Sequence, residues 1–384
     1  MRFEFSTATR IIFGKETSKE AASITGSFGD TTLVVTGGNR GRSQLLLNRL
    51  KHQGVDYHLY RITGEPTVDM VQKGTMKASK LECNMVIAMG GGSVIDAGKA
   101  IAAHLTNPGD IYDYLEVVGK GNALINPPAT FIAIPTTAGT GAEATANAVL
   151  QSVPHNVKVS LRSPLMLPKV AIIDPSLSVS MPPDLTALTG MDALTQLIEA
   201  FVSPMGNPMT DVLCKDGIKR TARSLLAAYE KGDDLEARSD MSLAALFSGM
   251  ALANAKLGAV HGIAGPLGGM LKIPHGAICA RLLPFVMKAN IRALDECKPD
   301  TTALDRFKEI AILLTGSKDA SAEEGIFWLE TICRQMDIPK LSQFGVSEDL
   351  ISELVPKAKK ASSMQGNPIE LTARELTEVI KSAC

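Results

Sequence analysis

One carboxylate and two imidazoles stand out as residues that could do chemistry together. Asp192 lies in Gly190-Met191-Asp192-Ala193-Leu194-Thr195-Gln196-Leu197-Ile198-Glu199-Ala200, His261 in Leu257-Gly258-Ala259-Val260-His261-Gly262, and His275 in Ile273-Pro274-His275-Gly276. The chain has 6 histidines, and these two occupy Gly-containing, otherwise apolar segments. Asp plus two His is a ligand set for zinc or iron(II) that leaves positions open for a substrate oxygen. Gln196 follows Asp192 by one helical turn and would face the same way. From spacing alone, core histidines satisfied by hydrogen bonds are the commoner occurrence. His52, His58, His104 and His155 suggest no role.

Two further segments suit phosphate. Gly90-Gly91-Gly92-Ser93-Val94-Ile95-Asp96-Ala97-Gly98-Lys99 follows an apolar run and opens a predicted helix. Glycines there let a diphosphate approach the backbone, and the N–H groups and dipole of a helix start favour its charge. Ser93 can cap the helix or donate to phosphate. It is not the usual G-x-G-x-x-G fingerprint, and a tight strand-to-helix turn explains three glycines equally well. Pro135-Thr136-Thr137-Ala138-Gly139-Thr140-Gly141-Ala142-Glu143 follows the run Phe131–Ile134, and its threonine hydroxyls can bond phosphate or ribose oxygens.

These residues need elements to position them. Predicted strands at Thr32–Thr36, Asp56–Tyr60, Asn84–Met89, Phe131–Ile134 and Val170–Ile173, the last three apolar runs, alternate with helical patterns over Ser43–Gln53, Val68–Lys80 and Ser93–His104. That alternation indicates an α/β domain on a mostly parallel sheet. After about Met181 amphipathic helical segments take over: Asp184–Phe201, Met209–Tyr229, Leu235–Ala255, Thr302–Thr315, Ala322–Met336 and Ser347–Ala361. The expectation is two domains, 1–181 α/β and nucleotide-binding, 182–384 all-α and carrying metal and substrate, with the boundary near Ser180-Met181-Pro182-Pro183.

Composition narrows the class. Of 384 residues 45% are hydrophobic and 21% charged, enough for a sizeable core. Lys plus Arg number 39 against 40 Asp plus Glu, which gives no electrostatic case for nucleic acid. The 6 cysteines contain no C-x-x-C pair, which suits free thiols in a reducing compartment. The start of the chain shows no signal-peptide pattern, and prolines and glycines break the long uncharged run between Lys120 and Glu143, so no membrane span is expected. The expected location is the cytoplasm.

The order and wording of these motifs resemble the iron-containing (group III) alcohol dehydrogenase family. The matching words are Phe13-Gly14, Gly90–Lys99, Pro135–Glu143, Ile173-Asp174-Pro175, Thr189–Leu194, Ile198-Glu199-Ala200, Asn207-Pro208, His261 and Ile273–Gly276. The resemblance runs from about residue 3 to about residue 380. It implies a dehydroquinate-synthase-like fold, with an α/β dinucleotide-binding domain, an all-helical domain and the active site between them. It implies NAD or NADP against Gly37, Asn39, Gly90, Gly91, Gly92, Ser93, Asp96, Thr136, Thr137, Thr140 and Lys158. It implies Fe2+ or Zn2+ at Asp192, Gln196, His261 and His275, with Asp192, His261 and His275 also catalytic. Hydride then passes between nicotinamide and an alcohol/aldehyde pair while the metal polarises the substrate oxygen. A homo-oligomer is expected on the same analogy.

The chain departs from the family at several points. Gln196 stands where the family has a third histidine ligand, and an amide oxygen is a poorer ligand than imidazole. Three readings follow: a three-ligand metal site, weak ligation by Gln196, or a metal-free site resembling maleylacetate reductases. Gly265 replaces a histidine common four residues after His261, which removes a proton relay there. After the first run, Val35-Thr36-Gly37-Gly38-Asn39-Arg40 carries no acid, so a 2′-phosphate is not repelled and Arg40 or Arg42 can pair with it. NADP(H) is therefore expected to be accepted, with a lean to it over NAD(H). A sugar-phosphate cyclase or lyase on the same fold is the competing class. It needs several cations at the site, whereas Leu257–His275 offers Lys272, and Met205, Met250, Leu267 and Met270 suggest apolar surroundings.

Overall fold

The computed structural model describes residues 2–39, 41–297 and 301–384. The chain divides into two compact units. One takes Ser6–Thr137 and Gly141–Val179, and the other takes Ser180–Cys384 with Ala138–Thr140 and the first residues up to Phe5. Where the sequence reading makes a single cut after residue 181, the chain crosses between the units several times.

The first unit is α/β. Its strands are β1 (Arg10–Phe13), β2 (Thr31–Thr36), β3 (Asp56–Arg61), β4 (Met85–Gly90), β5 (Thr130–Pro135), β6 (Asn147–Ser152), β7 (Val157–Arg162) and β8 (Val170–Ile173). Its α-helices are α1 (Ala21–Gly26), α2 (Gln44–His52), α3 (Val68–Lys80) and α4 (Gly92–Thr106). Among the described residues six strands form one sheet in the order β1-β8-β5-β4-β2-β3, every neighbouring pair parallel. β4 is buried at every position, as expected of a central strand covered on both faces. Core side chains lie on both sides of it: Val86 and Ala88 join one apolar cluster, Met85 and Ile87 the other.

The sheet order reverses between β2 and β4. From β2 the chain runs outward to β3, and from β4 it runs the opposite way to β5 and β8. Such a switch point leaves a crevice at the carboxyl ends of the two strands, the place where open α/β sheets bind ligands. Gly37-Gly38-Asn39 and Gly91-Gly92-Ser93 both follow those ends. The antiparallel hairpin β6–β7 stands outside the sheet. It is tied to α4 by Asp96 Oδ2, which accepts from Val149 N at 3.1 Å, and by Lys99 Nζ, which donates to Asn147 O at 2.8 Å.

The second unit is helical: α5 (Pro183–Val202), α6 (Pro208–Glu230), α7 (Leu235–Ala255), α8 (Ala259–Met270), α9 (His275–Cys297), α10 (Thr302–Thr315), α11 (Ala322–Gln335), α12 (Glu348–Lys359) and α13 (Ala373–Ala383). α5 is its axis, buried at every position from Gly190 to Val202. Pro183 starts it at a position where a missing N–H costs nothing. α9 begins directly on α5: a Cβ at Gly276 would lie 2.2 Å from Leu188 O, so only glycine permits that approach. Among the described residues no single helix is long and apolar enough to cross a membrane.

Candidate functional site

α5 turns Asp192, Gln196 and Glu199 onto one face, since positions i, i+4 and i+7 align along a helix. All three are buried. α7 ends at Ala255, the chain turns through Lys256 (φ 58°) and Gly258, and α8 delivers His261 from its first turn. α9 opens with His275 and brings Cys279 one turn later on the same side. Asp192, His261, His275 and Cys279 therefore converge, with one donor atom of each lying within 4.8 Å of the others.

The distances describe a small polar nest. Asp192 Oδ1 is 3.4 Å from His261 Nε2 and 3.7 Å from His275 Nε2. Cys279 Sγ is 3.8 Å from His261 Nε2 and 3.6 Å from His275 Nε2. Asp192 Oδ1 is buried and accepts no hydrogen bond. Its partner oxygen Oδ2 accepts from Gln196 Nε2 at 3.2 Å, and Gln196 Oε1 accepts from Ser248 Oγ at 2.8 Å. Glu199 holds the far side: Oε2 meets His261 Nδ1 at 2.6 Å and Oε1 accepts from Val260 N at 2.6 Å. With Nδ1 facing the Glu199 carboxylate, the neutral imidazole carries its lone pair on Nε2, on the side of Asp192 and Cys279, where a metal would take it.

The electrostatics follow from burial and neighbours. Burial opposes the Asp192 carboxylate, but His275 and His261 outweigh it and hold its pKa below the usual value. Burial pushes the Cys279 thiol up to about 12. Burial also opposes an imidazolium at His261, yet Cys279, Glu199 and Asp192 together outweigh it and raise that pKa. A buried carboxylate oxygen without a partner costs free energy. With two imidazole nitrogens and a thiol facing it, the donor set fits a divalent cation.

At the other unit, Gly90 O accepts from Thr136 N at 2.9 Å, so the β4 and β5 turns are stitched together. A Cβ at Gly90 would sit 2.6 Å from Val94 Cβ, which is why α4 can start so close to the strand end. Gly91 is the extended N-cap residue of α4, and Thr137 packs beside it. At that helix start Val94 N and Ile95 N both donate to Gly91 O, at 2.9 and 3.1 Å.

Comparison with known proteins supplies the deciding observation. Residues 8–175 match the family model described as iron-containing alcohol dehydrogenase, and residues 186–384 match that of the Fe-containing alcohol dehydrogenase family, C-terminal. The chain belongs to the iron-containing alcohol dehydrogenases. It is 37% identical to alcohol dehydrogenase 4 of Saccharomyces cerevisiae (strain YJM789) over 89% of this chain and 87% of that one. It is 35% identical to 1,3-propanediol dehydrogenase of Citrobacter freundii over 88% of this chain and 86% of that one. The fold matches a crystal structure of 1,3-propanediol oxidoreductase with TM-score 0.93 and 31% identity, covering 100% of both chains. The chain is thus an NAD(P)-dependent oxidoreductase acting between an alcohol and its carbonyl partner.

Within this family member, the sequence-predicted residues fall as follows. Asp192, His261 and His275 come together, and Gln196 adjoins them with both amide atoms engaged by Asp192 and Ser248. Gly37, Gly90, Gly91, Gly92, Ser93, Thr136 and Thr137 cluster at strand ends of the α/β unit. Asn39 Oδ1 accepts from Gly41 N at 3.0 Å, which folds its loop back on itself. Asp96 is spent on the β6–β7 hairpin, and Lys158 pairs with Glu65 at 3.1 Å. Thr140 falls in the segment grouped with the helical unit, where Gly139 packs on Thr189. Of the two arginines expected at a 2′-phosphate, Arg42 precedes α2 and Arg40 lies outside the described residues. A Cβ at Gly265 would meet nothing within 4 Å, so the histidine missing there leaves open space. Met205 is exposed and Leu267 is buried in the helical core, so these two do not share one apolar surface.

Glu199, Ser248 and Cys279, which adjoin this cluster, are not among the residues that the sequence reading singles out as site residues. Glu199 could have been found as the third acid or amide on the Asp192 face, and Cys279 as the residue one turn beyond His275.

Proposed function

We propose that Asp192, His261 and His275 hold the divalent metal of this dehydrogenase and that NADP(H) is accepted at the turns after β2, β4 and β5. The observation that carries the metal reading is Asp192 Oδ1, buried and without a hydrogen bond, facing two imidazole nitrogens. A divalent cation there supplies a Lewis acid that polarises the substrate oxygen and lowers the pKa of an alcohol. The protein's own part is to orient the ligands. Glu199 fixes the His261 tautomer, Gln196 and Ser248 hold the orientation of the Asp192 carboxylate, and the half-exposed His275 leaves the site open to a substrate.

For the nucleotide, the α4 amino terminus binds diphosphate and the threonines after β5 bond its oxygens. Acceptance of NADP rests on the sequence after β2, which offers Gly37-Gly38-Asn39 and no carboxylate to repel a 2′-phosphate. The six free thiols support a reducing compartment. The test is elemental analysis of protein purified without added metal, with NADPH and NADH oxidation measured on an aldehyde panel, 3-hydroxypropanal included, before and after chelation. About one metal per chain and chelator-sensitive turnover support the reading. Full activity of metal-free protein overturns it.

A further inference from the structure

We infer that Cys279 is a fourth metal ligand and that it takes the coordinating place left empty by Gln196. The inference rests on the metal reading above and extends it to a residue that the resemblance does not supply.

Gln196 is committed elsewhere. Its oxygen accepts from Ser248 Oγ at 2.8 Å and its nitrogen donates to Asp192 Oδ2 at 3.2 Å, so both amide atoms are already engaged. Cys279 Sγ faces the nest, from the same helix face as His275 and one turn away. The separations known are those a tetrahedral ion would require. Metal–sulfur bonds of ~2.3 Å and metal–nitrogen or –oxygen bonds of ~2.0–2.1 Å set S···N edges of about 3.5–3.6 Å and N···O edges of about 3.3–3.5 Å. The S···N separations here are 3.6 and 3.8 Å. The N···O separations are 3.4 and 3.7 Å. Four of the edges of one tetrahedron are therefore preformed to within a few tenths of an ångström. The unpartnered Asp192 Oδ1 independently marks where a cation is wanted.

The chemical consequence is a softer donor set. Replacing an imidazole by a thiolate favours zinc, and cobalt as its spectroscopic substitute, over iron(II). On binding, the S–H proton leaves to solvent and the sulfur lone pair forms the metal bond, with no change of oxidation state. An iron-family fold would then carry a zinc-type centre.

The test is cobalt(II) loading of the metal-free protein, read by electronic absorption and by competition with a chelator. Wild type should bind one cobalt per chain and show sulfur-to-cobalt charge transfer in the near ultraviolet. Cys279→Ser, with an unchanged circular dichroism spectrum, should lose that band. Its affinity should drop by at least about 10–100-fold, the loss typical of even an outer-shell partner. One cobalt in wild type without a sulfur band, and unchanged affinity in Cys279→Ser, would overturn the cysteine ligand while leaving the Asp192–His261–His275 site standing. No cobalt retained by wild type, as in Asp192→Asn, would overturn both. The wild-type spectrum decides the cysteine question even if the variant fails to fold.

Discussion

Glu199→Gln is the sharpest perturbation of the site that replaces none of the proposed ligands. Glu199 is 4% exposed and accepts two short hydrogen bonds, from Val260 N and with His261 Nδ1, both at 2.6 Å. Glutamine keeps the shape but offers one acceptor oxygen and one donor nitrogen. If the oxygen keeps Val260 N–H, the new NH2 faces His261 Nδ1–H, donor against donor. If the imidazole instead moves its proton to Nε2, Nδ1 can accept, but Nε2 no longer has a lone pair for a metal. Either outcome weakens metal binding. The lost bond is charge-assisted, worth about 1.5–3 kcal/mol. Outer-shell partners of metal-bound histidine typically carry about 10–100-fold in affinity, which is about 1.4–2.7 kcal/mol. The two figures agree, so a 10–100-fold rise in the metal dissociation constant is expected. Competition of apo-protein with a calibrated chelator for zinc measures it. An affinity within about twofold of wild type, in a variant with native circular dichroism, would refute the claim that Glu199 sets the His261 tautomer for a metal.

Other expectations follow from the same structure. Lys99 is 1% exposed and its three N–H groups are shared among Ala142 O, Thr145 O, Thr145 Oγ1 and Asn147 O, all at 2.7–2.9 Å. Lys99→Met strands those acceptors and should cost at least about 3 kcal/mol, seen as a lower urea midpoint. Asp174 accepts from Ser176 N and Oγ, Ser18 N and Oγ, and Glu16 N. Burial opposes its charge, but those bonds outweigh it and depress its pKa. Its contribution is therefore present above the unfolded value of about 3.9 and is lost as pH falls through the folded one. Asp174→Asn should flatten the acid limb of a stability-versus-pH curve, and an unchanged limb would contradict this. Arg42→Glu should shift the ratio of kcat/KM values from NADP toward NAD by at least about tenfold, the equivalent of one charged hydrogen bond. An unmoved ratio would release Arg42 from that role.

Five strands of the sheet were legible, four of them as short β-rich or apolar runs, whereas the edge strand β1 was not; Val68–Lys80 is a helix as its period predicts, and Leu235–Ala255 is a helix whose apolar residues are spread round it with almost no one-sided period. α8 was not legible. Ala-Val-His-Gly-Ile-Ala-Gly-Pro-Leu-Gly-Gly-Met has poor intrinsic helix propensity, and burial of Val260, Ile263 and Leu267 supplies what propensity does not. The hairpin β6–β7 was missed because its alternation is short and its buried face includes Ala148 and Ser152. Asp192, His261 and His275 could be named because their local wording is distinctive. Their supports could not, since Glu199 meets His261 across 62 residues and Gln196 meets Ser248 across 52. Cys279 needed the knowledge that a helix begins at His275; only then does a four-residue spacing mean one face.

The central claim is that a divalent metal sits among Asp192, His261 and His275. An anomalous difference map from crystals of the zinc-loaded protein, with data collected on both sides of the zinc edge, tests it most directly. The account predicts one strong peak per chain, within bonding distance of Asp192 Oδ1, His261 Nε2 and His275 Nε2. A peak elsewhere, or none in crystals of protein whose activity survives, would contradict it.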